Sequence, residues 1–248
     1  ETPTVNLAAD ALSKVYGSAD PVLTFSVSGL AFAGDSSSFS ATLSRAAGEA
    51  VANGPYAIAV SGVSNAMGYT VGTITDSSLT ITPKAITLSG LTASNKTYDA
   101  TSGATATASL SGVIAGDVVG NNLTASFNDK NVGVGKVVTV SGVALTGVDA
   151  GNYSISAGQT STADIAAKAI TLSGLTASNK TYDATLGATA TASLSGVIVG
   201  DVVGNNLTAS FADKSVGSGK VVTVSGVALT GVDAGNYSIS AGQTSTAD

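Results

Sequence analysis

The chain has 248 residues, a formal net charge of −6 and 10% charged residues, against about 25% in an ordinary soluble domain. It contains no His, Cys or Trp, which excludes a Ser-His-Asp triad, a thiol nucleophile, disulfides and zinc clusters and leaves hard-oxygen sites for Ca²⁺ or Mg²⁺ as the metal option. The acidic balance, with a pI near 4.4, runs against nucleic-acid binding, and no apolar run approaches the roughly 18 residues of a membrane span.

Residues 1–83 open on Glu1-Thr2-Pro3, which carries no basic or apolar leader. Both ends of the chain read as cuts from a longer protein. Period-2 alternation runs through the segment, as in Tyr56-Ala-Ile58-Ala-Val60, and helical periodicity is absent. Its landmarks are Lys14-Val15-Tyr16-Gly17, Ser28-Gly29-Leu30 followed by Gly34-Asp35, and Gly68-Tyr69. All four prolines lie here, and Pro83 stiffens the exit by fixing φ and removing a donor.

Residues 84–167 repeat the landmarks in altered form: Lys96-Thr97-Tyr98-Asp99, Ser111-Gly112-Val113 followed by Gly116-Asp117, and Asn152-Tyr153. Ile86-Thr-Leu88, Leu123-Thr-Ala125-Ser-Phe127, Val138-Thr-Val140 and Tyr153-Ser-Ile155 each point alternate apolar side chains to one face, the pattern of half-buried strands. Gly116-Asp117, Gly120-Asn-Asn122, Asn128-Asp-Lys130 and Asp149-Ala-Gly-Asn152 supply turns between them. That spacing gives about six or seven strands per module, since short strands between regularly placed turns mark small sandwiches. Residues 168–248 then repeat 84–164 at an offset of 84, with five differences over 81 paired positions: Ser102/Leu186, Ala115/Val199, Asn128/Ala212, Asn131/Ser215 and Val134/Ser218.

The reading is therefore all-β: three tandem small β-sandwich or β-grasp-like modules, 1–83, 84–167 and 168–248, arranged end to end as an elongated, monomeric rod. The third is short of its closing strand residues. A fixed long period filling the whole chain marks an array. The junctions Thr80–Ile86 and Ala163–Ile170 hold no Gly/Ser spacer, so the modules are expected to be held firmly. Modules of ~35–45 Å would give a rod of ~110–130 Å.

The two later modules resemble the YDG domain, through Lys96-Thr-Tyr98-Asp99-Ala100-Thr101, Gly116-Asp117, Phe127-Asn-Asp129-Lys130-Asn131-Val132-Gly133 and Gly147-Val-Asp149-Ala-Gly151-Asn152-Tyr153. Ala100 and Ala184 stand where that family usually has its namesake Gly. The first module resembles the related MBG domain, through Lys14-Val-Tyr16-Gly17-Ser-Ala-Asp20-Pro21, Ser28-Gly29-Leu30 and Gly68-Tyr69. The resemblance implies repeat modules of large exported bacterial adhesins, including filamentous haemagglutinin-like proteins, and a β-grasp-like fold. It implies no enzyme and brings no catalytic residues.

The expected function is a structural stalk or spacer, extracellular, secreted or on the bacterial cell surface, that projects distal adhesin domains of the same polypeptide. The alternative is a set of weak, multivalent glycan- or mucin-binding modules. For that alternative Tyr16, Tyr98 and Tyr182 are the ligand candidates, since aromatic faces take sugar rings; the preferred reading puts each ring in the core with its hydroxyl on backbone. Asp99, Asp117, Asp149 and Asp164 are the candidates for a structural Ca²⁺, although no cluster of carboxylates close in sequence supports it. Aspartates in turn sequences ordinarily cap nearby backbone N–H groups. No other cofactor is expected. Lys96, Lys130 and Lys136 are available for isopeptide bonds, and Asn95, Asn122 and Asn152 lie in N-x-[S/T] sequons.

Overall fold

In the computed structural model, which describes residues 2–248, the chain is almost entirely β-structure, in several small sheets. Helical structure among the described residues is limited to short 3₁₀ turns, Ala33–Ser38, Val51–Asn53, Ala150–Asn152 and Ala234–Asn236.

The first repeat holds β1 (Thr4–Ala9), β2 (Leu12–Val15), β3 (Phe25–Ser28), β4 (Phe39–Arg45), β5 (Tyr56–Asn65), β6 (Thr70–Thr75) and β7 (Ser77–Thr82). The second holds β8 (Lys84–Ala93), β9 (Lys96–Thr97), β10 (Gly103–Ala104), β11 (Ala106–Ser111), β12 (Gly120–Phe127), β13 (Gly133–Thr146), β14 (Tyr153–Ile155) and β15 (Thr160–Ala166). The third holds β16 (Lys168–Ala177), β17 (Gly187–Ala188), β18 (Ala190–Ser195), β19 (Gly204–Phe211), β20 (Lys220–Thr230), β21 (Tyr237–Ile239) and β22 (Thr244–Ala247).

Two compact units divide these residues. One comprises Glu1–Gly90, Ala108–Leu123 and Val143–Ala157; the other comprises Leu91–Thr107, Thr124–Gly142 and Gly158–Asp248. Each unit thus contains one outer repeat and a share of the middle one.

In the first unit, β1 lies between β3, antiparallel, and β6, parallel. The second sheet runs β2-β7-β5-β4, with β2 and β7 parallel and the other pairs antiparallel. Alternation drives the packing. Val5, Leu7 and Ala9 of β1 are buried at period 2 and meet the other sheet in two clusters, one with Phe39 and Tyr69, the other with Tyr56, Ile58, Leu79 and Ile81. Two small sheets with these apolar clusters between them make this repeat sandwich-like. The start of β8 enters the same unit, where Lys84–Ile86 pairs parallel with Tyr153–Ile155 of β14.

The second unit repeats the plan. The order β18-β16-β21 makes one sheet and β17-β19-β20-β22 the other. Leu172 of β16 packs on Ala209, Phe211, Val222, Val224 and Ala247. The middle repeat's share includes β13 antiparallel to β15, and β15 parallel to β9. That last pairing places Lys96 and Thr97 beside Ile165 and Ala166, and Tyr98 continues it with its N–H on the Ala166 carbonyl at 2.8 Å. Tyr98 is thereby fixed at the end of a strand that closes the middle repeat.

Candidate functional site

The repeats carry a pair of motifs that act on one another across repeat boundaries. One is a "head", made from the Gly-Asp turn and the Gly-Asn-Tyr segment. The other is a "tail", made from the Lys-x-Tyr strand end.

The head forms locally. In the middle repeat, Asp117 closes a turn with its N–H on the Ile114 carbonyl at 3.1 Å. The Tyr153 hydroxyl accepts the Ile114 N–H at 3.0 Å and donates to the Asp117 carboxylate at 2.5 Å. Asp149 accepts the Val118 N–H at 2.8 Å and pins the two segments together. The third repeat does the same through Ile198, Asp201, Tyr237 and Asp233, with Tyr237 2.6 Å from Asp201. The diverged first repeat keeps the pair as Tyr69 and Asp35, with the Tyr69 hydroxyl accepting the Ala31 N–H at 3.3 Å.

The tail of one repeat closes on the head of the next. In the first unit, the Tyr16 hydroxyl donates to the same Asp117 oxygen at 2.9 Å, and its ring meets Tyr153 edge to face, centroids 5.4 Å apart at 76°. Asn152 accepts the Val51 N–H at 2.9 Å. In the second unit, Tyr98 donates to Asp201 at 2.9 Å and meets Tyr237 at 5.5 Å and 75°. Asn236 accepts the Val132 N–H at 2.9 Å and donates to Asn131 at 3.2 Å. Lys130 adds a cation 3.4 Å from Asp201 and 3.7 Å from Asp233. Two separate junctions thus use one clasp: a carboxylate bridged by two tyrosines, with an asparagine amide on the facing backbone. Asn152 and Asn236 are buried polar residues, and both serve this clasp, as does the Asp201 carboxylate, whose side chain is also buried.

Burial sets the electrostatics. Desolvation, reinforced by Asp117, pushes the Tyr16 hydroxyl up to about 12. Desolvation and Asp201 do the same to Tyr237, up to about 12; Tyr98 moves in the same direction for the same reasons, and Tyr153 does so through desolvation and Asp117. The Tyr237 hydroxyl, opposed by burial but joined by Tyr98 and Lys130, holds Asp201 below the usual carboxylate range. These groups stay as neutral phenols and an anion, the states that make charge-assisted bonds.

Gly17 shows how tight the first junction is. It sits at φ +77°, and a Cβ there would fall 2.1 Å from Ile114 Cδ1. In the later repeats the left-handed position moves to Ala100 and Ala184, at φ 63° and 62°, where a side chain is strained.

The candidate residues divide accordingly. Tyr16 and Tyr98 are in the clasps, and their hydroxyls bind a carboxylate of the next repeat, where the sequence led us to expect a backbone partner. Tyr182 lies open, 59% exposed, and departs from the expected core position because no head covers it. Asp117 belongs to a clasp and Asp149 braces its head. Asp99 caps the Thr101 N–H at 2.9 Å and binds Lys96 at 2.8 Å; burial works against it, but Lys96 and Thr101 hold its carboxyl at about 2. Asp164 accepts the Gly135 N–H at 2.7 Å. The four calcium candidates fall in both units, and no group of three or more acidic side chains suited to a metal occurs among the described residues. Lys96, Lys130 and Lys136 each face a carboxylate in an ion pair. Asn152 is buried in its clasp, whereas Asn95 and Asn122 are exposed.

Sequence reasoning missed the head tyrosines Tyr153 and Tyr237, the asparagines Asn152 and Asn236, and a charge network in the first repeat. There Lys14 donates to Asp20 at 2.6 Å and to Glu49 at 2.5 Å, while Arg45 binds the same two acids. The recurrence of Asn-Tyr together with Gly-Asp in both later repeats was the available signal.

The MBG domain (YGX type) family model matches residues 5–80, and the YDG domain model matches residues 82–163 and 166–247. No curated protein and no solved structure matches the chain.

Proposed function

The chain belongs to the YDG domain family, two YDG domains preceded by an MBG domain, and on that premise we propose that it is a structural spacer, part of the stalk of an exported bacterial adhesin. The observation that carries this reading is the repeated Tyr–Asp–Tyr clasp. A flexible chain of beads needs no bond between beads. Here each joint is closed by an edge-to-face pair worth about 0.5–1.5 kcal/mol and by charge-assisted hydrogen bonds worth about 1.5–3 kcal/mol each. Such joints turn repeat number into length and stiffness.

The role asks for no catalysis, cofactor or metal. On this reading the array lies outside the cell or on its surface and carries distal domains of the same polypeptide. The glycan-binding alternative is weakened because Tyr16 and Tyr98 are engaged in clasps, which leaves Tyr182 as the one candidate ring in the open.

Small-angle scattering of the full chain is the test. A rod with a maximum dimension of ~110–130 Å, from strand-length arithmetic, supports the spacer. A compact particle, or a length distribution typical of a flexible string, overturns it.

A further inference from the structure

The tail face is covered twice in this molecule and bare once. Tyr98 is 2% exposed beneath the head of the third repeat, whereas Tyr182, in the same Lys-Thr-Tyr-Asp motif, is 59% exposed. Around it the contrast continues. Val132 is half-buried with its N–H on Asn236, while its counterpart Val216 is 85% exposed. Lys130 faces Asp201 and Asp233, while its counterpart Lys214 is exposed. Tyr182, Phe211, Lys214 and Val216 line an open cleft on this face. Of the four tail residues that meet a head in the second unit (Tyr98, Lys130, Asn131 and Val132), only Asn131 changes in the third repeat, to Ser215.

We infer that the Tyr182 face is a docking surface, and that its occupant is the head of a further YDG domain joined in register behind Asp248. The face continues an interface present in the same molecule: the same side chains in the middle repeat already hold this partner. Charge agrees, since Lys214 would meet the further domain's counterparts of Asp201 and Asp233, the carboxylates that face Lys130 in the second unit. The free head in this chain, that of the first repeat, is a poorer match. It has Gly68 where Asn152 and Asn236 stand, so it lacks the amide that accepts the facing backbone N–H. A second copy docking through that head is therefore not the occupant. The face has this use whether or not the array belongs to an adhesin.

For the test, a second copy of residues 165–248 is appended after Asp248, which continues the 84-residue period without added residues and repeats a segment that already folds here. Tyrosine nitration is then mapped by mass spectrometry. In the 248-residue chain, Tyr182 is expected to react at least about tenfold faster than Tyr98, as its exposure dictates. In the extended chain Tyr182 should slow to the rate of Tyr98, and its appended counterpart should become the fast site. Replacing the appended counterpart of Asp201 with Ala should return Tyr182 to its fast rate. Unchanged Tyr182 reactivity, with the appended counterpart of Tyr237 protected as in a folded head, overturns the inference. So does concentration-dependent self-association of the original chain that Tyr182→Ala abolishes, which assigns the face to a second copy. A second variant needs no extension: Asp201→Ala in the original chain should expose Tyr98 to nitration. If Tyr98 stays protected, the clasp does not cover the tail and the inference falls.

Discussion

Replacing Tyr98 or Tyr182 with Ala makes the same chemical deletion at the same position of two nearly identical repeats, one side chain covered and the other open. Tyr98 hides more than half of its surface beyond what Tyr182 hides. For a tyrosine that difference is roughly 100 Å², or about 2.5 kcal/mol at about 25 cal/mol per Å². The edge-to-face partner Tyr237 adds about 1 kcal/mol, and the hydroxyl on the Asp201 carboxylate about 1.5–3 kcal/mol. Part of this is regained, because Asp201 keeps Tyr237 and Lys130 as partners. Tyr98→Ala should therefore cost about 4 kcal/mol, within the range for losing a buried aromatic, and Tyr182→Ala less than about 1 kcal/mol. Urea unfolding followed by circular dichroism, with native-state hydrogen exchange at Ile198 and Val202 as the local report, reads both. Tyr98→Phe keeps the ring and should lose only the hydroxyl share. Equal costs for Tyr98→Ala and Tyr182→Ala would refute the reasoning, because burial at the clasp would then contribute nothing.

Alkali should loosen the joints before it unfolds the repeats. The tyrosines Tyr16 and Tyr237 are raised from about 10 to about 12 by folding, so their contribution is complete below pH ~10 and is lost as pH rises through ~12. Absorbance titration at 295 nm should lose its highest-pH phase in the Tyr16→Phe, Tyr237→Phe double variant. Ala100→Gly should stabilise the chain by up to about 1 kcal/mol, because left-handed backbone costs Ala about 1–2 kcal/mol and the freer unfolded chain of Gly offsets part of that gain; thermal unfolding checks the sign. Asn236→Ala removes the acceptor for the Val132 N–H and should cost about 1–3 kcal/mol, with loss of exchange protection at Val132 and not at the equally placed Val216.

The strands were legible because alternation needs only local information. Ile86 and Leu88, Val138 and Val140, and Ala125 and Phe127 are each buried as their period-2 spacing requires. Turn aspartates were legible for the same reason: Asp99 and Asp129 cap the N–H two residues on, at 2.9 and 2.7 Å. The clasps were not. Tyr16 reaches Asp117 across 101 positions and Tyr98 reaches Asp201 across 103. Repetition itself hid the pairing. Asp117 and Asp201 sit in the same motif, so sequence offers Tyr98 two equivalent acceptors. Topology decides between them: Tyr153 and Tyr16 take Asp117, and the β9–β15 pairing delivers Tyr98 to Asp201. Asn152 and Asn236 read as sequon or turn residues, and only the facing backbone of another repeat reveals their use.

If the clasp makes consecutive repeats one mechanical body, residual dipolar couplings measured over the second compact unit will show it most directly. The middle-repeat residues 91–107 and 124–142 and the third repeat share that unit and meet through Tyr98, Asp201 and Tyr237. One alignment tensor is expected to fit both sets of amides, and Asp201→Ala is expected to split them into two tensors of different magnitude. Two tensors in the unaltered chain would contradict the clasp as a rigid joint.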